Sequence, residues 1–156
     1  MDWLMVVLRL VHVVGGVLWV GMMAFTVVFL APAIADVGPD GGKVMAALQR
    51  RRVMTVMPII ALLTIISGAW LMQRVYGGMA GLTASRMGVT LLIGAAAALV
   101  AFLLGVVVMR PAMARAAVST DQAEIQRLRA RGAAVGRVVA LLLIVAAAAM
   151  AVARYV

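Results

Sequence analysis

The chain contains no cysteine, one histidine and only five carboxylate side chains in 156 residues. The missing thiols exclude disulfides, thiolate metal sites, iron-sulfur clusters and thiol catalysis together. Charged residues make up 12% and aromatics 5%, whereas 67% of the residues are hydrophobic and the mean hydropathy is +1.17. No soluble domain can cover that much apolar surface with so few polar groups, so the composition describes an integral membrane protein. The carboxylates Asp2, Asp36, Asp40, Asp121 and Glu124 all lie outside the long apolar runs. The absence of thiols leaves imidazole, thioether and carboxylate chemistry, and with the carboxylates outside the spans nothing supports acyl, phosphoryl or glycosyl chemistry.

The apolar residues fall into four stretches, about 4–30, 53–72, 87–109 and 135–153. Each is near the roughly 20 residues that a helix needs to cross the hydrocarbon core, and helices are required because open strands leave backbone groups unpaired in lipid. The expectation is a single all-α domain, an integral membrane four-helix bundle running up-down-up-down over residues 1–156. Ala33-Ile-Ala35 has the look of a signal-peptidase site, but the preceding apolar run exceeds a signal h-region of roughly 7 to 15 residues, so the first stretch reads as a retained span.

The net charge of +9 is distributed unevenly. With four spans, Lys43, Arg50, Arg51, Arg52, Arg110, Arg115, Arg127, Arg129, Arg131 and Arg137 share one face, against Arg9, Arg74, Arg86 and Arg154 on the other. The positive-inside rule makes the richer face cytoplasmic and places both termini on the periplasmic or extracellular side of a bacterial inner membrane. The basic excess then reads as topology and attraction to anionic lipid, with no nucleic acid as partner.

Between the spans, Pro32 and Gly38-Pro-Asp-Gly-Gly42 end the first helix, and Pro58 is placed to kink the second or free the Met54 carbonyl. Tyr76-Gly-Gly-Met-Ala-Gly81 makes a short connection between neighbouring helices. Ser119 and Gln122 fit a capping box, and Ile125 and Leu128 form a narrow apolar stripe over about 119–134. That stripe fits a cytoplasmic amphipathic segment, or a solvated extension of the fourth helix. Gly94-Ala-Ala-Ala-Ala98 and Ala146-Ala-Ala-Ala149 give smooth faces suited to close helix packing.

Chemistry concentrates at His12, the lone histidine, inside an apolar span where an ionisable group is costly without a partner. Arg9, Gly15, Gly16 and Trp19 share its helical face. Two glycines leave room for a planar macrocycle, Trp19 offers an aromatic wall, and a neutral imidazole is an axial haem ligand. His12 stands roughly 7 to 8 Å outward of the span centre, taken near Val17. Propionates of a haem there would approach the end that carries Arg9, Arg74, Arg86 and Arg154. Met72, Met87 and Met150 map to the same half as candidate second ligands. Against these stand plainer alternatives: snorkelling for Arg9, gap-filling for the methionines, and for His12 a packed ring bonded to a hydroxyl or carbonyl, with Thr64, Ser67 and Thr90 at hand.

The stretch Leu10-Val-His-Val-Val-Gly-Gly-Val-Leu-Trp-Val-Gly21, followed by Pro32, Arg50-Arg-Arg-Val-Met-Thr-Val-Met-Pro58 and Ser67-Gly68, resembles a superfamily of small bacterial four-helix membrane proteins. It includes the copper-resistance protein D domain and the HemJ-type protoporphyrinogen oxidases. The resemblance covers the first two helices and implies a b-type haem on His12, with copper handling as the weaker alternative. The later helices carry no lysine, histidine or carboxylate well inside the membrane, which argues against porphyrinogen oxidation. The expected function is haem-based electron transfer, alone, as an oxidoreductase component or in a larger redox assembly. Its rivals are a cofactor-free structural subunit, as a homo-oligomer or in a larger membrane complex, and copper or small-molecule transport.

Overall fold

The computed structural model describes residues 2–156, the side chain of Pro39 excepted. It is all-helical, with no strand among the described residues. Four long helices are apolar enough to cross a membrane: α1 (Trp3–Asp36), α3 (Val53–Tyr76), α5 (Arg86–Val118) and α6 (Gln122–Tyr155). This is a multi-pass membrane protein. Two short helices, α2 (Gly41–Arg50) and α4 (Met79–Thr83), join the first three. Each long helix contains its expected apolar stretch and runs beyond it.

Two of the extensions have the same cause. Pro32 and Pro111 have no N–H to donate one turn back, and their rings crowd the carbonyl four residues earlier. In both places the preceding turn widens to a π turn, over Thr26–Leu30 and Gly105–Met109. The Ala31 N–H reaches the Thr26 carbonyl, and the Arg110 N–H reaches that of Gly105. The helix therefore passes its proline instead of stopping there. Pro58, expected to kink its helix, is carried inside α3 without a break.

The spacing between these π turns extends over most of the chain. The step that carries Thr26 to Gly105 and Leu30 to Met109 also carries Gly15 to Gly94 and Pro32-Ala-Ile-Ala35 to Pro111-Ala-Met-Ala114. It carries Ile59-Ile-Ala-Leu-Leu63 to Val138-Val-Ala-Leu-Leu142 and Tyr76 to Tyr155, with no gap. The two halves thus share a spacing of long helices, π turns and prolines. They differ at their second helix. In the first, α2 ends at Arg50 and α3 restarts after Arg52, held in the left-handed region at φ 57°. In the second, the corresponding residues form one unbroken helix from Gln122.

α1 packs chiefly on α3, and α5 on α6, with lighter contacts closing the ring. Trp19, Ala61, Ala101, Val139 and Leu143, drawn from all four long helices, form the central core. A second small core joins Ala112 and Ala116 of α5 to Leu128 of α6. The segment 122–134 runs unbroken into the apolar part of α6, with Leu128 of its apolar stripe packed on α5. Its cap also differs from expectation: Asp121, not Ser119, accepts the Ala123 N–H at 2.9 Å, while the Ser119 hydroxyl donates to Glu124 at 2.7 Å. Aspartate one residue before the helix outcompetes the longer serine arrangement. Outward-facing Leu10, Val13 and Val17 of α1 are more than half exposed, as suits helices solvated by hydrocarbon.

Candidate functional site: His12 between α1 and α3

His12 projects from α1 onto α3, where its Nδ1 lies 2.8 Å from the backbone carbonyl oxygen of Thr64. A carbonyl only accepts, so Nδ1 carries the proton and donates. In the neutral ring Nε2 then holds the free lone pair. The imidazole rests on Gly68: a methyl there would stand 2.6 Å from His12 Cε1 and 2.8 Å from Nδ1. Gly68 is therefore the residue that admits the ring. Its signal lay in the small Ser67-Gly68 pair, one turn after Thr64 on the same helix, and sequence reasoning did not assign it this role.

The neighbouring polar atoms are all satisfied within α3. Buried Thr64 donates its hydroxyl to Ile60 O at 2.8 Å, and buried Ser67 donates to Leu63 O at 2.6 Å, with a longer contact to Thr64 O at 3.1 Å. Such back-bonding lets short hydroxyls sit inside an apolar helix. The Thr64 carbonyl consequently faces two side-chain donors, His12 and Ser67, from two helices.

The glycines beside His12 are occupied by the protein itself. A methyl on Gly15 would collide with Thr64 Oγ1, and one on Gly16 would lie 3.8 Å from Thr64 Cγ2. These glycines bring α1 and α3 into close contact, so the clear approach expected beside the ring is filled by Thr64. Trp19, two turns along, is buried in the core and meets Phe102 edge-on, with ring centroids 6.4 Å apart and an interplanar angle of 87°.

Arg9 stands exposed one turn from His12, and Arg74 reaches Asp2 at 3.7 Å, tying the start of α1 to the end of α3. Arg86, exposed at the start of α5, lines a concavity with Thr83, Ser85 and Val156. Among the candidate second ligands, half-buried Met72 follows Gly68 by one turn on α3. Met150 packs toward Gly94 between α5 and α6, and Met87 is exposed. The structure thus gathers His12, Gly15, Gly16, Thr64, Ser67 and Gly68 at one crossing, with Met72 the methionine on the helix that holds the ring. Thr90, offered as a partner for His12, donates instead to Arg86 O at 3.0 Å.

The described residues contain no group of three or more His, Cys, Asp or Glu placed to hold a metal ion. A bare cation at this crossing would meet a single nitrogen ligand, whereas a porphyrin supplies the remaining donors itself. No family model, curated protein or solved structure matches the chain.

Proposed function

We propose that the protein binds one b-type haem through Nε2 of His12 and serves in electron transfer, alone or as an oxidoreductase component of a larger redox assembly, in a bacterial inner membrane. The observation that carries this reading is the 2.8 Å contact from Nδ1 to the Thr64 carbonyl. Histidines that ligate metals commonly donate their other ring N–H to such an acceptor, which fixes the tautomer, orients the ring and raises its basicity. When bound, the iron supplies a one-electron couple. The chain's part is to present Nε2, limit water around it and set its potential. Arg9, Arg74 and Arg86 are the cations available to the propionates, and Met72 is the thioether available as a second ligand.

The accompanying topology is up-down-up-down with both termini outside. Supporting it, Gly94 meets Ala146 and Ala149 while Gly132 meets Met113 and Gly136 meets Met109, an antiparallel order. The Asp2 pairing with Arg74 brings the N-terminus to the end of α3. The basic residues of 31–52 and 110–134, with Arg137, then face the cytoplasm.

The filling of Gly15 by Thr64 and of Gly68 by His12 favours a second reading, a cofactor-free structural subunit in which the imidazole is an interhelical hydrogen-bond donor. Copper or small-molecule transport gains no support from the buried hydroxyls of Thr64 and Ser67, which bond to their own helix.

A visible spectrum of the detergent-purified protein, oxidised and reduced, with a haemochrome count, separates the two main readings. The expected result is one b-type haem per chain and loss of its Soret band in a folded His12→Ala variant. A colourless, well-folded wild-type protein would leave the structural subunit as the answer.

A further inference from the structure

Within the unbroken helix α3, the Thr64 carbonyl takes the backbone N–H four residues on, that of Gly68. Two side chains converge on the same oxygen, His12 Nδ1 at 2.8 Å and the Ser67 hydroxyl at 3.1 Å. A carbonyl oxygen has two lone pairs, so three donors oversubscribe it. The Gly68 N–H is fixed by the helix, and Thr64 O is the hydrogen-bond partner of the imidazole N–H. Ser67 alone has a choice, because its single hydroxyl hydrogen also reaches the Leu63 carbonyl at 2.6 Å. The Thr64 hydroxyl has no such choice and donates to Ile60 O.

Ser67 is 3% exposed, so its hydrogen is divided between these two backbone carbonyls. In so apolar a setting each hydrogen bond is electrostatically stronger than in water, and changes in one are felt by its neighbours. A hydroxyl donating to Thr64 O draws on the electron density that holds Nδ1–H. Turned to Leu63 O, it leaves that density to the ring.

We propose that Ser67 is a positioning residue that tunes His12 through the Thr64 carbonyl, loosening the bond to Nδ1 by the share of its hydrogen that it gives to Thr64 O. An Nδ1–H held more firmly makes Nε2 the stronger electron donor. Ser67 therefore sets how strongly Nε2 can bind a metal. With haem, a stronger donor favours the oxidised iron, so removing the hydroxyl lowers the midpoint potential. That last consequence rests on the haem reading; the tuning of the ring does not.

His12 is the only histidine, so histidine labelled at both ring nitrogens reports this ring alone in nuclear magnetic resonance of the full chain in nanodiscs. Spectra are recorded on the protein as purified and, where haem is present, with carbon monoxide on the ferrous iron, a diamagnetic state. The expected result is a hydrogen on Nδ1 in wild type, whose proton resonance moves downfield in Ser67→Ala and returns toward wild type in Ser67→Thr. In haem-containing protein the midpoint potential should fall in Ser67→Ala and recover in Ser67→Thr, which loss of packing alone would not produce. An unchanged or upfield resonance in Ser67→Ala would overturn the proposal, as would a wild-type ring protonated on Nε2 and not on Nδ1. A colourless protein that shows the downfield shift would keep the tuning and sink the haem reading; a haem protein without the shift would do the reverse. Should Ser67→Ala not fold, Ser67→Cys carries the same expectation, since its thiol is of similar size and a much weaker donor.

Discussion

The two halves of the chain share a length, a π turn, a proline and the Ala-Leu-Leu centre of their second helix, yet they have been put to different uses. His12, Thr64, Ser67 and Gly68 of the first half correspond to Leu91, Leu143, Ala146 and Ala147 of the second. Thr64, Ser67, Leu143 and Ala146 are all buried, so the difference is in chemistry and not in exposure. The first half spends its inter-helix contact on a polar crossing, and the second fills the corresponding space with hydrocarbon. Similar helix pairs thereby hold one polar crossing and one apolar buttress.

The largest effect should come from testing which half carries the packing energy. Leu143 is 1% exposed in the central core, and Leu143→Ala is expected to cost about 2 to 5 kcal/mol, measured by reversible unfolding in mixed micelles. The corresponding Thr64→Ala removes a methyl and one hydroxyl bonded to its own helix, with an expected cost of about 1 kcal/mol. Equal costs would mean that the polar crossing is as central to stability as the apolar one.

Next is the seat of the imidazole. Gly68→Ala forces His12 to shift, because the new methyl would overlap a ring pinned by Thr64 O. A loss of about 1 to 3 kcal/mol is expected, together with loss of any Soret band. Ala147→Val on the exposed face of α6 should change stability by less than about 0.5 kcal/mol. An unaltered spectrum and stability in Gly68→Ala would show that the ring does not depend on this seat.

The finest comparison uses one substitution twice. Arg52 occupies the left-handed region, where glycine carries no steric penalty, so Arg52→Gly should stabilise the protein by about 1 kcal/mol. Its counterpart Arg131 lies within a helix, where Arg131→Gly should cost about 1 kcal/mol. Opposite signs in the unfolding midpoint would confirm that the halves diverged at the backbone here; equal signs would refute it.

The four helices were legible because apolar runs near 20 residues have few other uses, and His12 stood out as the single histidine. Thr64 was available as a partner from its chemistry, but the atom that binds the ring is its backbone carbonyl, which side-chain identity does not announce. Gly15 and Gly16 were visible as missing side chains; whether Thr64 or a ligand takes that space depends on the register of α1 against α3. The helix ends were misjudged where proline was read as a stop, since a single widened turn carries the chain past it. The common spacing of the two halves was not legible either, because the likeness between them consists largely of alanine, leucine and valine.

The prolines that fail to stop their helices set the height of the molecule. At 1.5 Å per residue, the 34 residues of α1 or α6 measure roughly 50 Å, against roughly 30 Å for a hydrocarbon core. Some 20 Å of helix must stand clear of the bilayer or in its headgroups, and the small core of Ala112, Ala116 and Leu128 binds α5 to α6 within that reach. Beyond the apolar stretches, α5 and α6 therefore stay paired through a packing cluster of their own, separate from the central core.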